Sequence, residues 1–458
     1  MMKNKTQFIC SACSSAFPKW QGQCGECGQW NSLEEINAPA RGSKGPRNQY
    51  AGASQTSTLA SIQAGPDSLR WSSCDPELDR VLGGGLVAGS VVLLGGDPGI
   101  GKSTLLLSTA AAIAQTRPVL YVSGEESLQQ IALRAKRLNI PDCQDLILMA
   151  ETRLEIILQQ LEKTRPACLI IDSIQTLATN ESGSAAGTVS QLRDCTAALV
   201  QIAKLKNIAV VLIGHVTKQG QLAGPRVLEH MVDTVLYFES DPSSRYRFIR
   251  AVKNRFGAAD ELAVFAMLES GLKPVTNPSA IFLQHRSQAV PGSVYFANRQ
   301  GTRQLLIEIQ ALVDQSPLPQ AKRIAVGLDT QRLNMLLAVM HRHTGLALFG
   351  HDVYLNAVGG LKANETASDL AVIMSVMSAY DDRPWPPGCC AFGEVGLSGE
   401  VRAVPYGQER LEEVQRQGFS VCVLPKNNQP KKAIKGLRCI AVEHVSMLQN
   451  LKQEFLSS

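Results

Sequence analysis

The sequence of 458 residues predicts an α/β fold whose central domain is built on a parallel sheet. Three observations predict it. A glycine-rich loop lies between a short apolar run and a helical pattern, further apolar runs alternate with helical patterns after it, and several of these runs end at a polar residue. Strands that alternate with helices give a parallel sheet, with ligands at the carboxyl ends of its strands. A cysteine-rich segment precedes this domain and an α+β segment follows it.

The glycine-rich loop is the most specific motif of the chain. Residues 96–103 fit G-x-x-x-x-G-K-[ST] after the apolar run 90–94. Glycines let the backbone N–H groups face phosphates, Lys102 supplies a charge to the β- and γ-phosphates, and the Ser103 hydroxyl suits Mg²⁺. The next helix presents its N-terminus to the anion. The predicted nucleotide-binding residues are Gly96, Asp97, Pro98, Gly99, Ile100, Gly101, Lys102, Ser103 and Thr104.

Composition excludes several classes of protein. The net charge is +5 and 45% of the residues are hydrophobic, which favours two to four domains with sizeable cores. We expect no signal peptide, and no run approaches the roughly 18 apolar residues of a transmembrane helix. The twelve cysteines do not form a framework of the secreted type. We therefore expect a cytoplasmic protein with no membrane partner.

Four cysteines near the N-terminus form two C-x-x-C pairs ten residues apart, Cys10 with Cys13 and Cys24 with Cys27. Four thiolates close a tetrahedral Zn²⁺ site, which would be structural. A segment this short buries little core, so the metal would supply much of its folding free energy. A redox C-x-x-C pair is the alternative.

Composition divides the chain into four parts. Residues 1–36 are the zinc ribbon, and residues 37–66 read as a flexible linker because they hold almost no large apolar side chain. Residues 67–270 form the nucleotide-binding domain, and residues 271–458 carry a second organisation.

Acidic residues follow two of the predicted buried strands. The run 167–171 ends at Asp172, where a carboxylate would orient Mg²⁺. The run 119–122 is followed closely by Glu125 and Glu126. Glu125 is the candidate general base for an attacking water. Glu126 is the competing candidate, and one of the pair would serve the first turn of the following helix.

Other polar residues follow strands on the same edge of the predicted sheet. His215 ends the run 208–214 and could sense a γ-phosphate, although an ordinary hydrogen-bonded histidine is equally consistent with the pattern. Arg193, Lys218 and Arg226 lie in or near glycine-rich loops that could follow a DNA backbone. Plain surface loops are the alternative.

A basic stretch follows at residues 245–257. It holds five basic residues in eleven, starts with the alternation of an exposed strand and ends in the pentapeptide Lys253, Asn254, Arg255, Phe256 and Gly257. Its charges could reach DNA or the nucleotide of a neighbouring subunit. A solvated strand face is the alternative.

Several of these motifs together resemble the family of bacterial DNA repair proteins RadA, also called Sms. The similarity spans essentially the whole chain, and the pentapeptide KNRFG is close to diagnostic of the family. The motifs are the zinc knuckles, the loop GGDPGIGKST, the segment YVSGEES at 121–127, GHVTK at 214–218 and KNRFG at 253–257.

The resemblance implies a RecA-like P-loop ATPase core that assembles into a hexameric ring and binds single-stranded and branched DNA. It also implies work on recombination intermediates beside a RecA-type recombinase. Lys102 and Ser103 would hold ATP and Mg²⁺, and Glu125 falls where RecA-like proteins keep their catalytic glutamate. Lys253 and Arg255 fall in the motif that the family needs for DNA-coupled work.

The C-terminal segment looks like the proteolytic domain of the Lon family. It predicts a strand at 351–358, a helix at 367–380 and a hairpin at 391–402. The Lon enzyme needs a nucleophilic serine and a lysine that activates it. Here the serine position falls on Ala367, beside Ser368, and the lysine position falls on Gln408. We therefore expect an α+β scaffold without protease activity.

The sequence thus favours a DNA-dependent ATPase that moves along single-stranded DNA and drives branch migration. An ATP-dependent protease of the Lon type is the alternative, and the absent lysine argues against it. A clock or scaffold ATPase of the KaiC type shares the doubled glutamate, but the zinc knuckles and KNRFG argue against that.

Overall fold

The computed structural model describes residues 6–10, 16–17, 20, 22–23, 29–30, 33–37, 70–180, 185–215, 227–240, 245–283, 289–360 and 362–457. The chain forms two compact units, Met1–Thr58 and Leu59–Ser458. Within the described ranges, no helix is long and apolar enough to cross a membrane.

The first unit contains a three-stranded antiparallel sheet in the order β2-β1-β3. Its strands are β1 (Thr6–Cys10), β2 (Ala16–Phe17) and β3 (Leu33–Asn37). Of the predicted zinc ligands, Cys10 ends β1, and Cys13, Cys24 and Cys27 lie outside the described residues. The geometry of the zinc site therefore stays a prediction.

The second unit begins with a nine-stranded sheet in the order β14-β13-β12-β11-β6-β10-β9-β7-β8. The strands from β11 to β8 in this order are parallel, and β12, β13 and β14 extend one edge in antiparallel fashion. The short strands β4 (Arg70–Trp71) and β5 (Leu86–Val87) pair separately. The nine strands are β6 (Val91–Gly96), β7 (Val119–Ser123), β8 (Leu146–Ala150), β9 (Cys168–Asp172), β10 (Ala209–His215), β11 (Thr234–Glu239), β12 (Tyr246–Asn254), β13 (Leu262–Leu268) and β14 (Gly271–Pro274).

Helices cover both faces of this sheet, and their ends follow from local sequence. They are α1 (Pro76–Leu82), α2 (Lys102–Ile113), α3 (Leu128–Arg137), α4 (Leu154–Thr164) and α5 (Val189–Lys206). Asp75 caps the N-terminus of α1, and Gly83 ends it at a positive φ. Ser127 and Gln130 form a capping box at the start of α3.

The four strands predicted for this domain are confirmed as β6, β7, β9 and β10. The sheet continues to Pro274, beyond the predicted boundary at residue 270, because β14 pairs with β13. The strand predicted in the basic stretch is confirmed as β12, but it is less exposed than expected, because it lies between β11 and β13 and buries Ile249 and Ala251.

The C-terminal part of the second unit is built on a seven-stranded mixed sheet in the order β17-β18-β16-β15-β19-β22-β23. Its strands are β15 (Ser293–Gln300), β16 (Arg303–Gln315), β17 (Arg323–Val326), β18 (His351–Ala357), β19 (Cys389–Ala391), β22 (Val421–Pro425) and β23 (Arg438–Val442), with β20 (Glu394–Val395) and β21 (Val401–Arg402) as a separate hairpin. The helices are α6 (Ser279–Phe282), α7 (Thr330–Thr344), α8 (Asp369–Tyr380), α9 (Gly407–Arg416) and α10 (Met447–Ser457). The strand, helix and hairpin predicted here are confirmed as β18, α8 and β20–β21.

The two parts of the second unit share a packed boundary. Phe248, Leu262 and Val264 of the nine-stranded sheet lie in the apolar core that surrounds the seven-stranded sheet. Arg303 at the start of β16 forms a 3.0 Å ion pair with the buried carboxylate of Glu77 on α1. The nucleotide-binding domain and the C-terminal domain are therefore held together by both apolar packing and a buried charge pair.

Candidate active site

The glycine-rich loop connects the carboxyl end of β6 to the first residue of α2, as the motif requires. Its glycines are needed for two different reasons. A Cβ on Gly96 would lie 2.7 Å from the carbonyl oxygen of Phe238 on the neighbouring strand. Gly101, just before α2, has a φ of +118°, which L side chains rarely adopt. The loop therefore keeps backbone N–H groups close to the start of α2, where an anion is favoured.

Lys102 is buried, and its ammonium has three hydrogen-bond partners, two in the loop and one on β10. It donates to the carbonyl oxygens of Gly96 and Asp97 at 2.7 and 2.8 Å. It also lies 3.2 Å from Nδ1 of His215 at the end of β10. Burial lowers the pKa of Lys102 to about 8, although the charges of Asp172 and Glu125 oppose that shift.

His215 connects this lysine to the candidate base. Because an ammonium can only donate, Nδ1 of His215 accepts from Lys102, so Nε2 carries the proton. Nε2 lies 3.1 Å from Oε1 of Glu125, which also accepts from the Ser173 hydroxyl at 2.5 Å. Burial acts to raise the pKa of Glu125, but these two hydrogen bonds and the positive charge of Lys102 bring it below its usual value. Glu125 is therefore ionised at neutral pH.

Glu126 has different partners, although it is adjacent in sequence. Its side chain forms an ion pair with Arg134 on α3, and its backbone N–H donates to the Ser123 hydroxyl at 2.9 Å. The neighbouring carboxylate of Glu125 is the one that contacts His215. These partners distinguish the two acids, which spacing in the sequence could not do. Glu126 pairs with α3, and Glu125 faces the phosphate loop.

Asp172 is buried at the carboxyl end of β9, where its charge acts on Lys102. Its Oδ2 accepts a hydrogen bond of 2.6 Å from the Tyr121 hydroxyl on β7. Among the described residues this is the one hydrogen bond to that carboxylate, so Oδ1 is left for another partner. Hydroxyl and carboxylate oxygens are the ligands that Mg²⁺ prefers, so Ser103 and Asp172 fit that ion.

Two basic residues of the KNRFG motif are engaged in local contacts. The Lys253 ammonium donates to the carbonyl oxygens of Glu229 and Val232 at 2.7 and 2.8 Å. Burial and the neighbouring charge of Arg255 lower the pKa of Lys253. Arg255 lies 3.0 Å from a carboxylate oxygen of Asp233, and 56% of its side chain is exposed. Arg255 therefore offers the more accessible charge.

The other residues of the motif make a tight turn against α1. The amide of Asn254 donates to the carbonyl oxygen of Val81 at 3.1 Å and accepts from the backbone N–H of Phe256 at 2.9 Å. A Cβ on Gly257 would lie 2.6 Å from Cα of Gly83. Two glycines are thus required where these backbones meet.

This motif lies at the opposite end of the strands from the phosphate loop. Asp233, the partner of Arg255, accepts from the backbone N–H of Val91, the first residue of β6. The loop follows the last residue of β6, and a strand of six residues spans about 20 Å. The motif therefore cannot contact a nucleotide in the loop of its own chain.

The remaining predicted DNA-contacting residues are only partly described. Arg193, the fifth residue of α5, is exposed. Lys218 and Arg226 lie outside the described residues. In the basic stretch, Arg245 stacks on Tyr246 and Arg250 donates to the side-chain oxygen of Gln300 at 2.7 Å.

The two positions aligned with the Lon serine and lysine do not carry a catalytic pair of side chains. Ala367 is buried beside α8, and Gln408 is exposed on α9 with its amide on Glu412 at 3.2 Å. The neighbouring Ser368 hydroxyl donates to the carbonyl oxygen of Glu365 at 2.8 Å. The α9 side chain that reaches this turn is the buried Arg410, which donates to the Glu365 carboxylate at 3.0 Å. Arginine stays charged and cannot serve as a base.

Comparison with known proteins places this geometry in a family. Residues 62–221 match the family model described as an AAA domain, and residues 8–35 match the one described as a rubredoxin metal binding domain. DNA repair protein RadA of Pseudomonas aeruginosa is 53% identical over 443 residues, or 96% of this chain and 97% of the relative. RadA of Escherichia coli is 46% identical, with coverage of 96% and 97%, and RadA of Bacillus subtilis is 44% identical, with coverage of 97% and 98%.

The chain belongs to the RadA family of DNA repair proteins. A KaiC-like protein from Pyrococcus horikoshii is among the similar solved structures, with 20% identity, a TM-score of 0.38 and coverage of 45% of this chain and 98% of that one. The RadB recombinase has 23% identity, a TM-score of 0.37 and coverage of 44% and 99%.

For this RadA family member, the predicted family, the α/β class with its RecA-like P-loop ATPase core and the N-terminal zinc ribbon are confirmed. The Lon-like character of the C-terminal domain and the roles of individual residues stay predictions. Sequence reasoning missed Tyr121, Ser173 and Arg134 as neighbours of the acids. A tyrosine inside an apolar buried strand was a usable signal, because a buried hydroxyl needs a partner.

Proposed function

We propose that this RadA family member is a DNA-dependent ATPase of recombinational DNA repair. It binds single-stranded and branched DNA in the cytoplasm and drives branch migration beside a RecA-type recombinase. The observation that carries the proposal is the continuous contact from Lys102 through His215 to Glu125, at the carboxyl ends of three parallel strands of one sheet, β6, β10 and β7. Such an arrangement suits a site that must detect a phosphate and then activate water.

The chain's own residues divide the work of hydrolysis. The loop N–H groups and Lys102 bind the phosphates of ATP, and Ser103 and Asp172 hold Mg²⁺, which supplies charge neutralisation at the β- and γ-phosphates. Glu125 orients the attacking water and accepts one of its protons as the oxygen attacks phosphorus and ADP leaves. The lowered pKa of Glu125 keeps it ionised for this role.

His215 couples the nucleotide to the DNA. When Lys102 turns to the phosphates, Nδ1 of His215 loses its donor, so the position of the ring depends on the occupant of the loop. His215 is followed directly by the segment 216–226, which carries Lys218 and Arg226. Arg193 is near the start of α5, which follows β9 in the chain and so begins on the side of the sheet where the parallel strands end. These basic groups would follow a phosphate backbone.

Assembly into a hexameric ring would complete the site. The KNRFG motif lies at the end of the strands away from the phosphate loop of its own chain. Packed against a neighbouring subunit, Lys253 and Arg255 would face a second nucleotide site or the DNA in the ring. In a closed ring of identical subunits, one surface of each subunit packs against a different surface of the next copy.

The zinc ribbon would contribute a separate contact surface. Two C-x-x-C pairs supply four thiolates, the donor set of a closed structural Zn²⁺ site. The match to a metal-binding family model over residues 8–35 supports this assignment. Cys10, Cys13, Cys24 and Cys27 would hold the ion.

The test is ATP hydrolysis by the purified full chain with and without single-stranded DNA. We expect DNA to raise kcat in the wild type, Lys102→Ala to abolish hydrolysis, and Lys253→Ala to bind ATP normally but lose the DNA stimulation. Lys136→Ala, at an exposed position on α3, is the matched control. Extension of a three-strand intermediate, with and without a RecA-type recombinase, tests branch migration. Near wild-type turnover by Lys102→Ala would overturn the assignment of the site.

A further inference from the structure

A tyrosine that the proposed mechanism does not use lies directly behind the candidate Mg²⁺ site. Tyr121 is in the middle of β7 and is 1% exposed. Its hydroxyl donates to Oδ2 of Asp172 at 2.6 Å. Hydrogen bonds to an ionised carboxylate are short and about twice as strong as those between neutral groups. The contact therefore holds the carboxylate in one orientation.

The strand register explains why the two side chains meet. β7 and β9 are neighbouring parallel strands in which Tyr121 is level with Ile170 and Ser123 is level with Asp172. Residues two apart along a strand share a face, so Tyr121 and Asp172 lie on the same face of the sheet. The length of the tyrosine side chain covers the two-residue distance along the strands. Its ring packs among apolar side chains that include Ile131 and Ile170.

The hydroxyl of Tyr121 is a permanent donor. A tyrosine phenol has an ordinary pKa of about 10 and is protonated at neutral pH. A carboxylate can only accept, so the Tyr121 hydroxyl is the donor in this contact. Oδ2 of Asp172 accepts this hydrogen bond, whereas Oδ1 has no hydrogen-bond partner among the described residues and is the oxygen that would face the metal or one of its waters.

We propose that Tyr121 is a positioning residue for Mg²⁺: its hydroxyl fixes the rotamer of Asp172 so that one carboxylate oxygen always faces the ion. The proposal rests on the nucleotide site proposed above and adds a residue to it. Partners that orient a metal ligand without touching the metal typically change metal affinity by about 10–100-fold when they are removed.

The experiment compares Tyr121→Phe with the wild type in two Mg²⁺ titrations. One follows ATP hydrolysis, and the other follows binding of a fluorescent, non-hydrolysable ATP analogue to the full chain. In both titrations we expect the variant to need about 10–100-fold more Mg²⁺ for half-saturation. Saturating Mg²⁺ should restore most of the wild-type kcat, and affinity for the analogue without Mg²⁺ should stay within about twofold of wild type.

Tyr354→Phe is the matched control, because the Tyr354 hydroxyl donates to Asp352 at 3.3 Å in the C-terminal domain, away from the nucleotide loop. It should leave both titrations unchanged. If Tyr121→Phe has the wild-type Mg²⁺ half-saturation, the proposal is wrong, whatever happens to the melting temperature. If Tyr121→Phe does not fold, 3-fluorotyrosine at position 121 keeps the hydroxyl, and its ¹⁹F resonance should shift when Mg²⁺ is added to the nucleotide-bound protein. An unmoved resonance would also overturn the proposal.

The two titrations separate this inference from the proposed function. The binding arm does not require hydrolysis. A wild-type protein that binds the analogue with Mg²⁺ but never hydrolyses ATP would contradict the proposed ATPase function. The inference about Tyr121 would then be decided by the binding titration alone. An active wild type with an unaltered Tyr121→Phe variant contradicts the inference alone.

Discussion

The ammonium of Lys102 lies 3.2 Å from Nδ1 of His215. With the two loop carbonyl oxygens, this ring nitrogen uses all three protons of the ammonium. A nucleotide must therefore break these contacts before it can recruit the lysine. Since the same imidazole donates to Glu125, phosphate binding changes the surroundings of the candidate base in the same step.

The first prediction separates the two adjacent glutamates. Glu125→Gln should lower the kcat of ATP hydrolysis by about 10²–10⁴-fold, the usual contribution of a general base, and leave nucleotide affinity within about twofold. Glu126→Gln loses its ion pair with Arg134 and should retain most of the activity. Steady-state kinetics and a nucleotide-binding titration measure both effects. A larger loss of kcat in Glu126→Gln would reverse the assignment.

The second prediction concerns pH and follows from the lysine. In the nucleotide-free protein burial lowers the pKa of Lys102 to about 8, whereas bound phosphates favour the ammonium. Above pH 8 binding must therefore take up a proton, and affinity should fall about tenfold between pH 7 and pH 9. Calorimetry in buffers of different ionisation enthalpy should detect this proton uptake. Lys102→Arg stays charged, so its affinity should be flat over the range, and a flat wild-type profile would contradict the account.

Much of this site could be predicted from the sequence, because its parts are local. The loop at 96–103, the acid that ends β9 and the histidine that ends β10 are each set by a strand and the residue after it. Neighbouring parallel strands then bring them to one edge of the sheet.

Other features needed the structure, because they depend on strand order and side-chain direction. Glu125 and Glu126 are indistinguishable by spacing, and only their partners on β10 and α3 separate them. The basic stretch at β12 looks exposed because its arginines alternate, but pairing on both sides makes it an interior strand. Because β12 runs antiparallel to β11, KNRFG also lies at the opposite end of the strands from the phosphate loop.

The third prediction tests the boundary between the nucleotide-binding and C-terminal domains. Arg303→Met removes the 3.0 Å partner of the buried Glu77, whose carboxylate keeps Arg80 at 3.6 Å and the backbone N–H of Val264 at 3.2 Å. The free energy of unfolding should therefore fall by about 1–3 kcal/mol. Lys426→Met is the control, because Lys426 and Glu443 form an exposed ion pair. Its loss should change the free energy of unfolding by less than about 1 kcal/mol. Urea unfolding followed by fluorescence compares the two. Equal losses of unfolding free energy in the two variants would mean that the buried pair at the boundary stabilises the protein no more than an exposed pair does.

The fourth prediction concerns proteolysis. The Ser368 hydroxyl is tied to a backbone carbonyl, and the nearby Arg410 cannot accept a proton. Casein should therefore stay intact during incubation with the protein and ATP, and Ser368→Ala should behave like the wild type. ATP-dependent cleavage that Ser368→Ala removes would show that the domain is an active protease.

The measurement that tests the central claim most directly is the rate of ATP hydrolysis by the full chain at saturating ATP, with and without single-stranded DNA. We predict a severalfold higher kcat with DNA in the wild type, no hydrolysis in Lys102→Ala, and loss of only the DNA-dependent increment in Lys253→Ala. Wild-type protein that hydrolyses ATP at one rate whether or not DNA is present would contradict the account.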